Sequence, residues 1–309
     1  MSWYLSVMQC NVSTNSVQMS SIEMIIPERA AGIGSFQVGR LLPFRQKRAV
    51  GPFVFLDHMG PATLSKNENL DVLPHPHIGL STLTYLFGGA IMHRDSIGSE
   101  VEIRPGAVNW MTAGKGVVHS ERTPEYLRNA EKSLHGLQFW VGLPKEYEET
   151  EPSFIHIEAG EIPAWTENHL QFRLIAGEAF GRKSPVPVFS RLYFAEIKCS
   201  VTQQAAIGHA LYGECALFIL EGAVRIEGNT HGPNQVLVTK ESKRCSFEME
   251  AGSTAYVFGG EPFTEERYID WNFVSSDKNR LQTAREDWIN RCYPMPPGET
   301  ETVPYPGPG

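Results

Sequence analysis

Pro105-Gly-Ala-Val-Asn-Trp-Met-Thr-Ala-Gly-Lys-Gly-Val-Val-His-Ser-Glu121 reads as a turn, an apolar strand, a tight glycine turn and a second strand ending on two polar side chains. Pro105-Gly106 marks the first reversal, Val108 to Met111 the strand, and Thr112-Ala-Gly-Lys-Gly116 the second reversal. In an extended segment residues i and i+2 point to one side, so His119 and Glu121 share a face. Upstream, Pro74-His-Pro-His-Ile-Gly79 repeats the spacing with His75 and His77. Alone, His-x-His is weak evidence, and its bland reading is a surface turn. Two such pairs on neighbouring strands, however, can present four ligands to one point. Gly88-Gly89, Pro105-Gly106 and Thr112–Gly116 turn the chain out and back between the pairs, compatible with a meander that brings both to one region. Buried without an ion, these groups would carry an unfavourable desolvation cost, and a metal removes that objection.

Outward from this stretch the chain keeps the same texture. Short alternating or apolar runs broken by Gly, Pro and acidic turns include 51–56, 80–87, 137–141, 154–157 and 170–176, and a second series covers 191–198, 216–226, 235–239, 244–249 and 253–258. Each block carries a late turn, Pro105-Gly106 or Ala251-Gly252, before an apolar strand, which suggests an internal duplication. The expectation is an all-β protein of two packed barrels: an N-terminal arm over 1–21, a barrel carrying both His/Glu pairs over 22–150, a second barrel over 151–295, and a Pro/Gly-rich tail over 296–309. One short helix is predicted near the end, where Leu281, Ala284, Trp288 and Ile289 fall on one face and Ser276 or Asp277 can cap the start. The tail is expected to lie on the surface without regular structure.

Composition narrows the function. With 309 residues, 41% hydrophobic and 20% charged, the chain can bury a sizeable core, and 28 Gly with 21 Pro favour a turn-rich β fold. A formal charge of −8 gives no general footprint for nucleic acid. The one basic cluster, Arg40, Arg45, Lys47 and Arg48, reads first as a solvated loop and second as a protein-partner patch. Five scattered cysteines without Cys-x-x-Cys spacing argue against a disulfide framework or zinc knuckle. Neither a signal peptide nor a membrane span is read from the sequence, so a cytoplasmic protein is expected.

Together these motifs carry a family resemblance: the chain resembles a pirin, of the cupin superfamily. The segments concerned are 51–60 (Gly-Pro-Phe-Val-Phe-Leu-Asp-His-Met-Gly), 74–79, 105–121, 137–144 (Leu-Gln-Phe-Trp-Val-Gly-Leu-Pro) and 270–274 (Asp-Trp-Asn-Phe-Val), within a likeness spanning roughly 22–295. The resemblance implies two facing cupin barrels, double-stranded β-helices, with iron bound only in the first by His75, His77, His119 and Glu121. His209 and His231 of the second block have no partner at two-residue spacing, which agrees. Many pirins carry Arg and Glu after the His-Pro-His, where this chain has Ile78 and Ser81, and that departure bears on substrate.

Three imidazoles and a carboxylate leave open positions on an octahedral ion and suit Fe(II), with Mn, Ni, Cu or Zn also tolerated. By resemblance the expected activity is that of a quercetinase-like Fe(II) dioxygenase on a flavonol or other small phenolic compound. Glu121 would be both ligand and base toward the substrate proton. Phe55, Trp110 and Met111 are candidates for an apolar pocket, against an ordinary core reading. The alternative is a redox-sensing coregulator that binds a protein partner as its iron changes charge. A monomer is the family-like default.

Overall fold

The structure is a computed structural model that describes residues 21–33 and 36–307. Apart from Ser21, the expected N-terminal arm lies outside the described residues. The described chain is mostly β with one C-terminal α-helix, and its strands form two similar halves. In the first half the large sheet runs Ser153–Ile157, Val108–Thr112, Leu80–Gly88, Lys132–Gly142, Phe53–Leu64, Phe36–Leu42 and Arg29–Ile33. It faces a four-stranded sheet in the order Asp71–His77, Val117–Arg122, Ile91–Asp95 and Glu100–Ile103. The second half repeats the plan. Its large sheet runs Ile22–Pro27, Gln235–Thr239, Glu214–Glu221, Thr254–Gly260, Leu192–Cys199, Leu170–Ala179 and Ala164–Glu167, and Gln203–Ala206, Ser246–Met249, Val224–Ile226 and Asn229–His231 make its small one. The suspected duplication is therefore visible as a common strand order.

Edge strands cross between the halves. Ile22–Pro27 pairs with Gln235–Thr239 of the second half, while Ser153–Ile157 pairs with Val108–Thr112 of the first. The run read as one strand over 216–226 is two, because Gly222, at φ +71°, turns the chain between Glu221 and Val224.

The two large sheets lie back to back, and their strands are apolar on both faces because both are covered. Along Lys132–Gly142, alternation sends Leu137, Phe139 and Val141 into the core between the halves, where Phe53, Phe139, Phe194 and Phe258 pack ring against ring at 4.8–5.4 Å. Gln138 and Trp140 therefore face the opposite way, into the first half. The matching small sheet of the second half presents Ala205, Phe247 and Met249 to an apolar core.

The helix forms at Lys278–Ile289, with Asp277 as cap: its carboxylate accepts from the Asn279 N–H. Leu281, Ala284 and Trp288 are buried as expected, but Ile289 is 59% exposed. One residue past Trp288 is a rotation of about 100°, which carries Ile289 off the buried stripe. Among the described residues no helix is long and apolar enough to cross a membrane.

Candidate metal centre

The Asp71–His77 strand tolerates Pro74 and Pro76 because it is a sheet edge. It pairs on one side only, in the register Val117↔His77 and His119↔His75. Its other edge is turned outward: the Pro74 carbonyl there accepts from the N–H of Val303. The proline nitrogens, which could not donate, lie on that outer edge, and the histidine residues keep the ladder. A register shift between His119 and Glu121 then re-aims the carboxylate.

His75, His77 and His119 converge, and one nitrogen of each lies within 4.8 Å of the others. All three are buried. What aims them is the partner of each remaining nitrogen. His75 Nδ1 donates to the Leu73 carbonyl at 2.8 Å, and His77 Nδ1 to the Asn272 carbonyl at 3.1 Å. Asp95 Oδ2 lies 3.0 Å from His93 Nε2 and fixes the proton there, leaving His93 Nδ1 to accept from His119 Nδ1 at 3.4 Å. These tautomers, assigned from hydrogen-bond partners, leave three Nε2 lone pairs facing inward, two of them 3.1 Å apart on His77 and His119. Facing lone pairs repel unless a cation or proton lies between them. Burial lowers the pKa of His75 to about 4 and drives those of His77 and His119 well down too. The protonated answer is thus disfavoured, and the donor set fits a divalent metal held by three neutral imidazoles.

Glu121 lies beside this triad on the same cavity, outside the span that takes in the three imidazoles. Its carboxyl is pushed up by burial, with the His93 imidazole and the Thr84 hydroxyl pulling the other way. Thr84 Oγ1 stands 3.2 Å from Glu121 Oε1 and 2.8 Å from the Gln138 amide. One hydroxyl proton cannot serve two acceptors. With the Gln138 amide turned, its N–H donates to Thr84 and Thr84 donates to Glu121, which satisfies all three.

The cavity over the triad measures about 390 Å³. Phe55 lines it, as read from the sequence; Trp110 and Met111 do not. Alternation places Trp110 in the core between the halves and Met111 in a small cluster with Ala113 and Val117. Trp140 is the larger wall, stacked on Phe55 at 3.9 Å and edge-on to His77 at 5.1 Å. The basic cluster is divided. Arg40 lines the cavity, 4.7 Å above Phe55 and paired through two nitrogens with buried Asp57 at 2.9 and 2.8 Å, while Lys47 pairs with Glu214.

Sequence reasoning passed over His93, Asp95, Gln138, Trp140, Trp271, Asn272 and Val303. His93-x-Asp95 carried the same two-residue spacing as the ligand pairs, a usable signal. Trp271 and Asn272 fell inside the 270–274 segment that carried the family resemblance, without a role being read for them, while Val303 reaches the cavity from the end of the chain and left no local trace.

The profile of the Pirin family matches residues 35–141, and that of the Pirin C-terminal cupin domain matches residues 194–293. A pirin-like protein of Caulobacter vibrioides is 48% identical, over 86% of this chain and 93% of its own. A Pseudomonas aeruginosa protein provisionally named quercetin 2,3-dioxygenase is 37% identical over 85% of this chain and 82% of its own. The crystal structure of a quercetin 2,3-dioxygenase from Acinetobacter baumannii superposes with a TM-score of 0.86 at 33% identity, covering 93% of this chain and 95% of that one.

Proposed function

The chain belongs to the pirin family, with N- and C-terminal cupin domains, and on that premise we propose that it is an Fe(II)-dependent dioxygenase opening flavonols or related phenolic compounds. His75, His77, His119 and Glu121 would hold the ion. The observation that carries the reading is the set of three inward lone pairs, locked by their partners, at the floor of an aromatic-walled cavity. The names of the Pseudomonas and Acinetobacter relatives support the reaction class.

When bound, a redox-active divalent ion supplies a Lewis-acidic centre able to engage dioxygen. The protein's own groups do the rest. Trp140, backed by Phe55, offers an aromatic wall for a planar phenolic ring. Glu121, made more basic by burial, accepts the proton of the substrate hydroxyl, and Thr84 holds one of its oxygens in place. Arg40 keeps a cation beside the cavity that favours the resulting phenolate, with Asp57 as its buried counter-ion. Trp271 and Val303 add apolar surface to the cavity lining.

The test is oxygen consumption by Fe(II)-loaded protein with a panel of flavonols and simpler phenols. Uptake that depends on substrate and vanishes in His75→Ala supports the proposal. No uptake across the panel, with iron shown bound by metal analysis, overturns it.

A further inference from the structure

We infer that the C-terminal segment from Glu299 to Tyr305 is a positioning strap of the metal centre, holding both ligand strands from outside. The inference rests on the metal site and not on the identity of the reaction.

The strap touches each ligand strand beside its ligands. Ser120 lies between His119 and Glu121, and by alternation its side chain leaves the opposite face of the strand. Its hydroxyl donates to Glu299 Oε1 at 2.8 Å, and the guanidinium of Arg122, next after Glu121, grips both oxygens of the same carboxylate at 2.9 and 2.6 Å. On the other strand, the Val303 N–H donates to the Pro74 carbonyl at 2.9 Å, one residue before His75. That carbonyl lies on the proline-bearing edge, where no sheet neighbour can serve it. The Val303 side chain also lines the cavity.

The strap is fastened in turn. Trp288 Nε1 of the helix donates to the Val303 carbonyl at 3.0 Å, and the Tyr305 hydroxyl donates to Asp270 at 2.9 Å. Asp270 belongs to the Tyr268–Asp270/Phe273–Ser275 hairpin, whose Asn272 carbonyl orients His77. The strap, the helix and this hairpin thus form one frame around three imidazoles that the N-terminal strands alone would hold less firmly. Outer-shell groups of this kind commonly change metal affinity by about 10- to 100-fold.

The test titrates full-length protein with Co(II), reading affinity by chelator competition and geometry from the d–d absorption. Glu299→Ala and Val303→Pro, the latter removing the N–H and fixing φ, are each expected to weaken Co(II) binding about tenfold and alter the d–d band. Glu299→Gln, which keeps the shape and one acceptor oxygen, recovers part of the loss. Glu248→Ala, which breaks an ion pair with Arg225 in the second half, binds Co(II) within about twofold of the parent. Parental affinity and spectrum in both Glu299→Ala and Val303→Pro would overturn the inference, as would an equal loss in Glu248→Ala, which would mark general destabilisation. Oxygen uptake has no part in the readout, so a cobalt-binding chain that fails to turn over phenols sinks the proposed activity and leaves the strap standing.

Discussion

An imidazole binds a metal through whichever nitrogen its surroundings leave without a proton, so the decisive residues of this site include some that never touch the ion. Asp95 is the clearest case. Its Oδ1 accepts from the backbone of Ile97 and Ser99, and its Oδ2 holds the His93 proton. The carboxyl lies below its ordinary value: burial raises it, but the His93 and Ser99 hydrogen bonds outweigh that. Asp95→Asn keeps the turn, because an amide oxygen can still accept from Ile97 and Ser99. It reverses the other end, making the amide a donor toward His93 Nε2 and returning the His93 proton to the side that meets His119. The expected outcome is divalent-metal affinity reduced about 10- to 100-fold with little change in thermal stability, measured by equilibrium dialysis against Ni(II). The convergence of His75, His77 and His119 was legible because a two-residue period is a property of one strand. His93 was missed although it has the same period, since its bearing on His119 arises only when Ile91–Asp95 pairs with Val117–Arg122.

At the scale of elements, the hairpin Tyr268–Asp270/Phe273–Ser275 joins the end of the chain to the metal strands. Two further contacts help to fix it. Buried Glu148 accepts from the Ser275 hydroxyl at 2.7 Å and the Ser276 N–H at 2.9 Å, and pairs with buried Arg267 at 3.2 Å. Removing the carboxylate leaves a buried guanidinium short of its counter-ion, so Glu148→Ala is expected to cost about 3 kcal/mol in denaturant unfolding. The second contact is Gly79, at φ +64°, whose position would bring an added Cβ to 2.0 Å from the Val274 carbonyl. Gly79→Ala must push the hairpin from the ligand strand. We expect a loss of about 2–4 kcal/mol by thermal unfolding, together with weaker metal binding as Asn272 moves off His77. The helix after the hairpin was legible from its cap and its buried stripe, because both are local. The role of its neighbours was not: Asn272 meets His77 across 195 residues, and Gly-Pro-rich sequence like that of the tail gives no sign of what it will be fastened to.

In the whole molecule, the two halves meet through apolar sheets, and polar contacts lie beside the apolar ones. His58 pairs with Glu28 at 2.5 Å and meets His135 at 2.9 Å between ring nitrogens, with Phe218 of the second half edge-on to His58 at 5.2 Å. Burial, helped by His58, brings the pKa of His135 down from 6.5 to about 4. Below pH 6.5 the unfolded chain therefore takes up a proton that the folded chain refuses until about pH 4. The stability His135 confers is full above pH 6.5 and fades through that window. Melting temperature should fall as the pH is lowered across it, and the fall should be shallower in His135→Gln when both proteins are compared at matched ionic strength. The fold itself was the most legible feature of all, because alternation, turn chemistry and the repeat of one block by the other each pointed to paired β sheets. What no strand pattern announced was which sheet an edge strand would join.

Those crossing edges decide how the protein can be cut. A fragment ending at residue 150 would keep Ile22–Pro27 without the strand it pairs with and lack the Ser153–Ile157 strand that finishes its own sheet. A fragment beginning there would suffer the mirror-image loss. Each would present a raw, adhesive border. The repeat is therefore stitched rather than modular, and either half cut out at this boundary is expected to expose unpaired strand edges and to associate or aggregate.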